Sequence, residues 1–408
     1  PARGGGVWRG RRARLDVLSV LQEAAQTGRP DAVLERLRPL HPQYDALRAG
    51  LRRVAALRER EPEVPVIPEG LKLRPGHRSP HVAALRARLA FWGDLADAAS
   101  GDDAFDPPLV EALRAFEARH GLPADGVLDA AAVEALNTPV GARVGQIELN
   151  LERWRWQERV RGRRSVLVNI PTFMLHAYDP DGTEALAMRV VTGKPGSPTP
   201  VFDQEMTSVV FSPYWNIPPG IAGRETLPAV RRDRGYLRRM NLEVLRGGAV
   251  VDPSQVDWRR GAARVSFRQR PGPGNSLGLV KFQMPNPFHV YLHDTPADSL
   301  FRRERRTFSH GCVRLEKPEA LARWVLSEQP EWTAERIAGA MRAGRQRAVA
   351  LPEPISVSIS YYTVWVDADG AVQFRPDVYR HDAGQGRLLD ALEPPAMEAP
   401  AAAAAVAG

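Results

Sequence analysis

Phe288-His289-Val290-Tyr291-Leu292-His293, followed after fifteen residues by Ser309-His310-Gly311-Cys312-Val313-Arg314, decides how this chain is read. In the first segment Phe288, Val290 and Leu292 alternate with His289, Tyr291 and His293. That predicts a strand with one apolar face and one face carrying two imidazoles and a phenol. Cys312 in the second segment is the one cysteine of the 408 residues, so it has no partner for an internal disulfide. A lone thiol is either an inert core group or one kept for its reactivity, and its neighbours favour the second. His310 and Arg314 stand two residues to either side and supply positive or polarisable groups that favour a thiolate. Gly311 lacks a β-carbon, so a substrate can approach the backbone there, and consecutive N–H groups beside a nucleophile can hold an oxyanion. The chain between His293 and Cys312 is long enough to loop out and return beside the strand end.

Outward from this pair, the surrounding sequence has a period of two. Val166, Val168 and Ile170 alternate with other residues, Asp179-Pro180-Asp181-Gly182 marks a turn, and Leu186, Met188 and Val190 alternate again. Further strands are expected at 208–211, 265–267 and 279–283, with a final hairpin over 356–379 around Asp367-Ala368-Asp369-Gly370. Several short strands with few helices predict a sandwich or barrel-like β domain over 164–384. A charged insertion at about 219–257, with Arg231-Arg232-Asp233-Arg234 and Arg238-Arg239, is either a lid over a cleft or a surface decoration.

Further out the period becomes helical. Residues 71–140 predict three amphipathic helices, carrying Val82, Leu85 and Leu89, then Leu109, Leu113 and Phe116 up to Gly121, then Val133 and Leu136 behind an Asp129 cap. Residues 1–70 read as a helical scaffold, with Leu15, Leu18 and Leu21 on one face and a proline-rich link at 61–69. Residues 141–163 form a helical connector, and the Ala-rich tail from 385 to 408 is expected to be disordered.

Composition narrows the function. The formal charge is +8, and lysine occurs only at 72, 194, 281 and 317, so the basic character is almost all arginine. Codon bias or attraction to an anionic polymer explains it, and no nucleic-acid-binding motif accompanies it. No stretch is apolar for long enough to span a membrane. The chain starts at Pro1, which predicts a processed or trimmed N-terminus from which an export signal has been lost. A zinc site from His289, His293, His310 and Cys312 is chemically conceivable, but no carboxylate ligand is suggested by spacing, and no metal or other cofactor is expected. With no second cysteine, thiol–disulfide exchange is disfavoured.

The spacing from His293 to Ser309-His310-Gly311-Cys312-Val313-Arg314 resembles the active-site signature of the L,D-transpeptidase family, whose catalytic domain is the YkuD-type β sandwich. Gly193-Lys194-Pro195-Gly196 with Thr199-Pro200, Pro213-Tyr214-Trp215-Asn216-Ile217-Pro218, and Gly274-Asn275-Ser276-Leu277-Gly278 leading into Lys281-Phe282 extend the likeness over about 165–325. Phe105, Val110 to Phe116, His120-Gly121-Leu122 and Asp125-Gly126-Val127-Leu128 resemble the three-helix peptidoglycan-binding domain. Together they look like the larger periplasmic subfamily, an α+β multidomain protein with a helical scaffold, a peptidoglycan-binding module and a lid inserted in the catalytic domain.

The resemblance implies that Cys312 attacks the carbonyl of the third residue of a tetrapeptide stem, releasing D-Ala and leaving a thioester. It implies His293 as the base, oriented by the Asp294 carbonyl, with the Gly311 and Cys312 N–H groups as oxyanion hole and His310 and Arg314 as site support. Tyr291, Asn275, Trp215 and Ser309 are expected against substrate, although Tyr291 could be a half-buried strand residue and Trp215 could pack beneath the site. His289 is expected to line the cleft or lie on the surface, not to act as a catalyst. The implied partners are peptidoglycan stems and glycan, and carbapenems as acylating inhibitors; the implied place is the periplasm or cell envelope. A hydrolase using water as acceptor, an enzyme attaching proteins to peptidoglycan, and a non-catalytic wall-binding protein are the rival readings.

Overall fold

The computed structural model describes residues 8–9, 16–39, 41–96, 103–157, 162–258 and 265–390. They fall into two compact units, each assembled from segments distant in sequence: Pro1–Thr27 with Trp156–Tyr361, and Gly28–Arg155 with Tyr362–Gly408. Among the described residues no helix is long and apolar enough to cross a membrane.

The first unit is built on a ten-stranded sheet that closes on itself. Val201–Phe211 pairs with Val280–Gln283, then in turn come Leu292–His293, Val313–Leu315, Glu184–Gly193, Met174–Tyr178, Ser165–Asn169 and Arg347–Ser360, which returns to pair with Val201–Phe211. Most neighbours are antiparallel, but Val313–Leu315 runs parallel to Leu292–His293, and Arg347–Ser360 parallel to Ser165–Asn169. Closure removes the free edges that would otherwise invite pairing with other chains. The inward positions are Val166, Val168, Leu175, Met188, Val190, Val209, Phe211, Phe282, Leu292, Val313, Val357 and Ile359, all buried, so the period-two stretches put one face into a common apolar core. The closing strand bulges between Ala350 and Ile355, where Pro352 and Pro354 interrupt its ladder.

The charged insertion is a folded part of this unit. Short helices, including Leu227–Arg232 and Gly235–Arg239, pack with the four-stranded sheet formed by Trp215–Asn216, Ser266–Gln269, Leu242–Arg246 and Ala249–Val251. Ile217, Val230, Leu237, Val244, Val256, Trp258 and Phe267 make its own core.

The second unit contains the three expected helices, Val82–Trp92, Pro107–His120 and Ala130–Asn137. Asp106 and Asp129 cap the last two by accepting N–H bonds from Leu109 and Ala132, and Gly121 at φ 66° ends the second. Leu85, Leu89, Leu109, Leu113, Phe116, Val133 and Leu136 pack into one core.

Also in this unit is the closing hairpin, Val364–Val366 with Val372–Phe374. The sequence reading attached the hairpin to the β domain; its hydrogen bonds explain why it belongs here. Gln43 in helix Pro42–Ala55 brackets Val366, donating to its carbonyl at 2.6 Å and accepting its N–H at 2.9 Å. Buried Asn150, in helix Val140–Trp156, accepts the Thr363 N–H and donates to its hydroxyl. Helix His381–Asp390 is fastened by the buried Arg153–Asp382 pair at 2.7 Å. The chain is therefore ordered past the expected start of the tail at 385; the rest of that tail, 391–408, and Leu15 lie outside the described residues.

Candidate active site

Three adjacent strands place the chemistry. Lys281 lies opposite His293 across the antiparallel pair, and His293 lies beside Arg314 across the parallel pair. Paired residues share a sheet face, and so do residues two apart on one strand. Lys281, His293 and Arg314 thus form one row, with Tyr291 and Cys312 in the next row of the same face. On the opposite face Phe282, Leu292 and Val313 are fully buried in the core. The Val313 N–H donates to the Tyr291 carbonyl, which locks the cysteine segment in this register.

His293 is 4% exposed. Its Nδ1 lies 2.5 Å from the Asp294 carbonyl, and since a carbonyl only accepts, Nδ1 carries the proton and Nε2 keeps its lone pair. Burial pushes the imidazole down to about 3, with Arg314 adding to the effect and the Asp294 carbonyl opposing it. At neutral pH the ring is an uncharged acceptor. Asp294 itself is held by the Leu279 and Thr295 N–H groups at 2.7 Å each.

Cys312 is half-buried, its Sγ 3.9 Å from the His289 carbonyl. Burial pushes the thiol up, against the downward pull of Tyr291, Lys281 and Arg314. Arg314 favours the thiolate as expected, but desolvation outweighs it, and His310 is paired with Glu225 instead. The resting pair is a neutral thiol and a neutral imidazole.

The bed beneath Cys312 accounts for several of the distant motif residues. Thr199 Oγ1 accepts the Gly193 N–H at 2.8 Å and donates to the Gly311 carbonyl at 2.9 Å. A β-carbon on Gly193 would sit 2.2 Å from the Ser197 carbonyl oxygen, so only glycine fits. Gly311 has φ 117°, which likewise demands glycine. Buried Ser309 accepts the Gly311 N–H at 3.0 Å and donates to the Cys312 carbonyl at 2.5 Å. Ser309 therefore shapes the loop from within instead of facing a substrate, and the Gly311 N–H is already engaged. Of the two expected oxyanion donors, the Cys312 N–H has no hydrogen bond among the described residues.

Two other expected contacts are placed differently. Asn275 is 1% exposed. Its amide donates to the Pro213 and Arg270 carbonyls and accepts the Leu277 N–H, so it organises the Gly274–Gly278 turn and offers nothing to a ligand. His289 is off the expected strand, which shrinks to Leu292–His293. Asn286 Oδ1 accepts the Phe288 and Val290 N–H groups and turns the backbone, leaving His289 exposed at φ 55°. Tyr291 and Trp215 do meet at the site: the Tyr291 hydroxyl interacts with both Cys312 and Trp215, and burial pushes the phenol up.

Glu225, which the sequence reading did not single out, and two motif lysines complete the rim. His310 donates from Nε2 to Glu225 of the insertion at 2.7 Å, with Lys194 Nζ 3.4 Å from the same nitrogen. Lys281 Nζ lies 4.9 Å from the centre of the Tyr291 ring. One signal for these was present, since Lys194 and Lys281 are two of only four lysines in an arginine-rich chain.

Residues 163–342 match the YkuD family model, described as the L,D-transpeptidase catalytic domain. Residues 78–136 match a model described as "Putative peptidoglycan binding domain", and residues 1–51 one described as a scaffold domain. A curated Haemophilus influenzae protein described as "Putative L,D-transpeptidase" is 35% identical over 219 residues, 53% of this chain and 44% of the relative. The chain thus spans less than half the length of that relative. Among solved structures, an L,D-transpeptidase from Mycobacterium smegmatis is 15% identical, covering 48% of this chain and 58% of its own, at TM-score 0.25. One from Stackebrandtia nassauensis is 15% identical, covering 72% and 96%, at TM-score 0.26.

Proposed function

We propose that this chain, which matches family models described as an L,D-transpeptidase catalytic domain and a putative peptidoglycan binding domain, crosslinks peptidoglycan stems between their third residues through a thioester on Cys312. The carrying observation is the neutral, buried His293, oriented by the Asp294 carbonyl on the same sheet face as the chain's one thiol. A neutral thiol needs a base at the moment of attack, and a neutral imidazole whose proton sits on Nδ1 is suited to it.

The Cys312 proton passes to His293 Nε2 as sulfur bonds to the carbonyl carbon of the third residue of a tetrapeptide stem. The oxyanion accepts the Cys312 N–H. Collapse breaks the peptide bond, and the departing D-Ala amine takes the proton back from His293. An amine on a second stem then attacks the thioester, gives its proton to His293, and the thiol is restored as the new amide forms. The imidazolium formed midway is costly in this buried, cationic setting, which keeps it transient.

The same intermediate would let carbapenems acylate Cys312, and the peptidoglycan-binding domain supports a place in the cell envelope, here the periplasm. Incubation with disaccharide tetrapeptide, followed by liquid chromatography and mass spectrometry, tests the reading. It expects a dimer lacking one terminal Ala, absent with Cys312→Ala. Tripeptide alone would replace transpeptidation by hydrolysis, and unchanged tetrapeptide would refute the assignment.

A further inference from the structure

Lys281 and Arg314 flank His293 in one row, and neither meets a carboxylate among the described residues. The nearby acid, Asp294, directs both its carboxylate oxygens to backbone N–H groups. Arg314 Nε is buried with no hydrogen-bond partner, a donor whose desolvation is uncompensated in the free protein. Lys281 is half-buried over the Tyr291 ring, next to the thiol on the same face. Two cations kept partly out of water, with one orphan donor between the strands, make a seat that is complete only when an anion enters it.

We propose that Lys281 and Arg314 form a carboxylate-binding seat beside Cys312 that reads the free terminal carboxylate of the donor peptide. This rests on the reading above and names the feature of the substrate that the site selects. When sulfur attacks the penultimate carbonyl of a peptide, the terminal carboxylate is only three bonds from the attacked carbon. A cation two positions along the same sheet face is placed to hold it. The seat would confine attack to chain ends and reject peptides that continue past the leaving residue. Lysine at 281, in a chain that otherwise uses arginine, fits a compact charge standing over a ring where a planar fork would need more room.

The test does not need peptidoglycan. Cys312 is alkylated in parallel with iodoacetate, which carries a carboxylate, and with neutral iodoacetamide; in each case the thiolate forms a C–S bond and iodide leaves. The readout is the ratio of the two second-order rates in wild type, Lys281→Met, Lys281→Arg and Arg314→Met. The seat predicts a ratio about tenfold higher in wild type than in Lys281→Met, a smaller fall in Arg314→Met, and substantial recovery in Lys281→Arg. If Lys281 only tunes the thiol, Lys281→Met slows both reagents alike and the ratio stays put, which overturns the proposal. A second arm compares tetrapeptide with its C-terminal amide. Wild type should prefer the free acid by about tenfold or more and Lys281→Met should lose that preference; equal use of both by wild type also overturns the seat. Turnover of neither peptide, with the alkylation ratio as predicted, would retain the seat and reject the crosslinking function.

Discussion

The sheet face around Cys312 and the three-helix module both bury ionisable groups, and they treat them in opposite ways. In the module two buried or half-buried arginines meet carboxylates at short range. Arg119 meets Asp94 at 2.6 Å, Arg86 meets Asp106 at 2.6 Å, and buried Glu117 accepts the Gly126 N–H at 2.9 Å. On the sheet face, His293 keeps a lone pair, and Lys281 and Arg314 have no counter-charge among the described residues. Burial without a partner is costly, so a face that tolerates it is organised for something that arrives. The module has unpartnered buried atoms of its own, Arg86 Nε, Arg88 Nη1 and His120 Nε2, the last in a ring stacked between Phe116 and Phe374.

Substitutions on the two sides should therefore behave differently. The largest effect is Cys312→Ala, which should abolish turnover while leaving binding to isolated sacculi; retained turnover would break the comparison at its centre. His293→Gln should lower kcat by about 10²- to 10⁴-fold with little loss of thermal stability, since the ring's work is done on the substrate. A third check uses pH. With the thiol pushed above its ordinary value and the imidazole held near 3, iodoacetamide labelling of Cys312 should be slow at pH 7 and rise about tenfold per unit towards and beyond pH 9. A flat profile from pH 5 to 8 would mean a resting ion pair instead.

In the module the effects should fall on stability. Burial raises the Glu117 carboxyl from 4.5 to about 7. The folded state keeps its proton where the unfolded chain has lost it, so this residue's contribution worsens as pH rises from 4.5 to 7 and stays at its worst above that. Glu117→Gln should be near neutral at pH 4.5 and stabilise by up to about 3 kcal/mol at pH 8, read by denaturant unfolding. Equal effects at both pH values would show that the carboxylate is not desolvated. The smallest change expected is at the rim, where Glu225→Gln removes a partly exposed pair with His310. Less than about fivefold in kcat/KM is expected, so a larger loss would mean that the insertion's contact is part of the chemistry.

What was legible in the sequence was local. The helix cap at Asp129, the stop at Gly121 and the period-two strands are set within a few residues of themselves, and the His293–Cys312 spacing is read directly along the chain. What was hidden depends on partners far away along the chain. Arg347–Ser360 closes the sheet against Val201–Phe211 but contains Pro352 and Pro354, which read locally as breakers and sit at the bulge. The hairpin at 364–374 joins the second unit because Asn150 and Gln43 hold it, more than 200 residues upstream in each case. His289 looked like a strand residue by alternation, and Asn286 overrode the alternation through its side chain. Ser309 and Asn275 were legible as motif residues, but their burial and internal hydrogen bonds were not, because burial cannot be read from a motif. Lys281 showed itself as a rare lysine and in the Lys281-Phe282 motif, but its place beside His293 is a matter of register.

The most direct test of the central claim is to trap the intermediate. Wild-type protein mixed with disaccharide tetrapeptide, quenched in acid within the first turnovers and weighed intact, should carry one disaccharide-tripeptide on Cys312, located by digestion and absent from Cys312→Ala. Product accumulating while every quenched sample shows Cys312 unmodified, or a Cys312→Ala protein that still forms product, would contradict it.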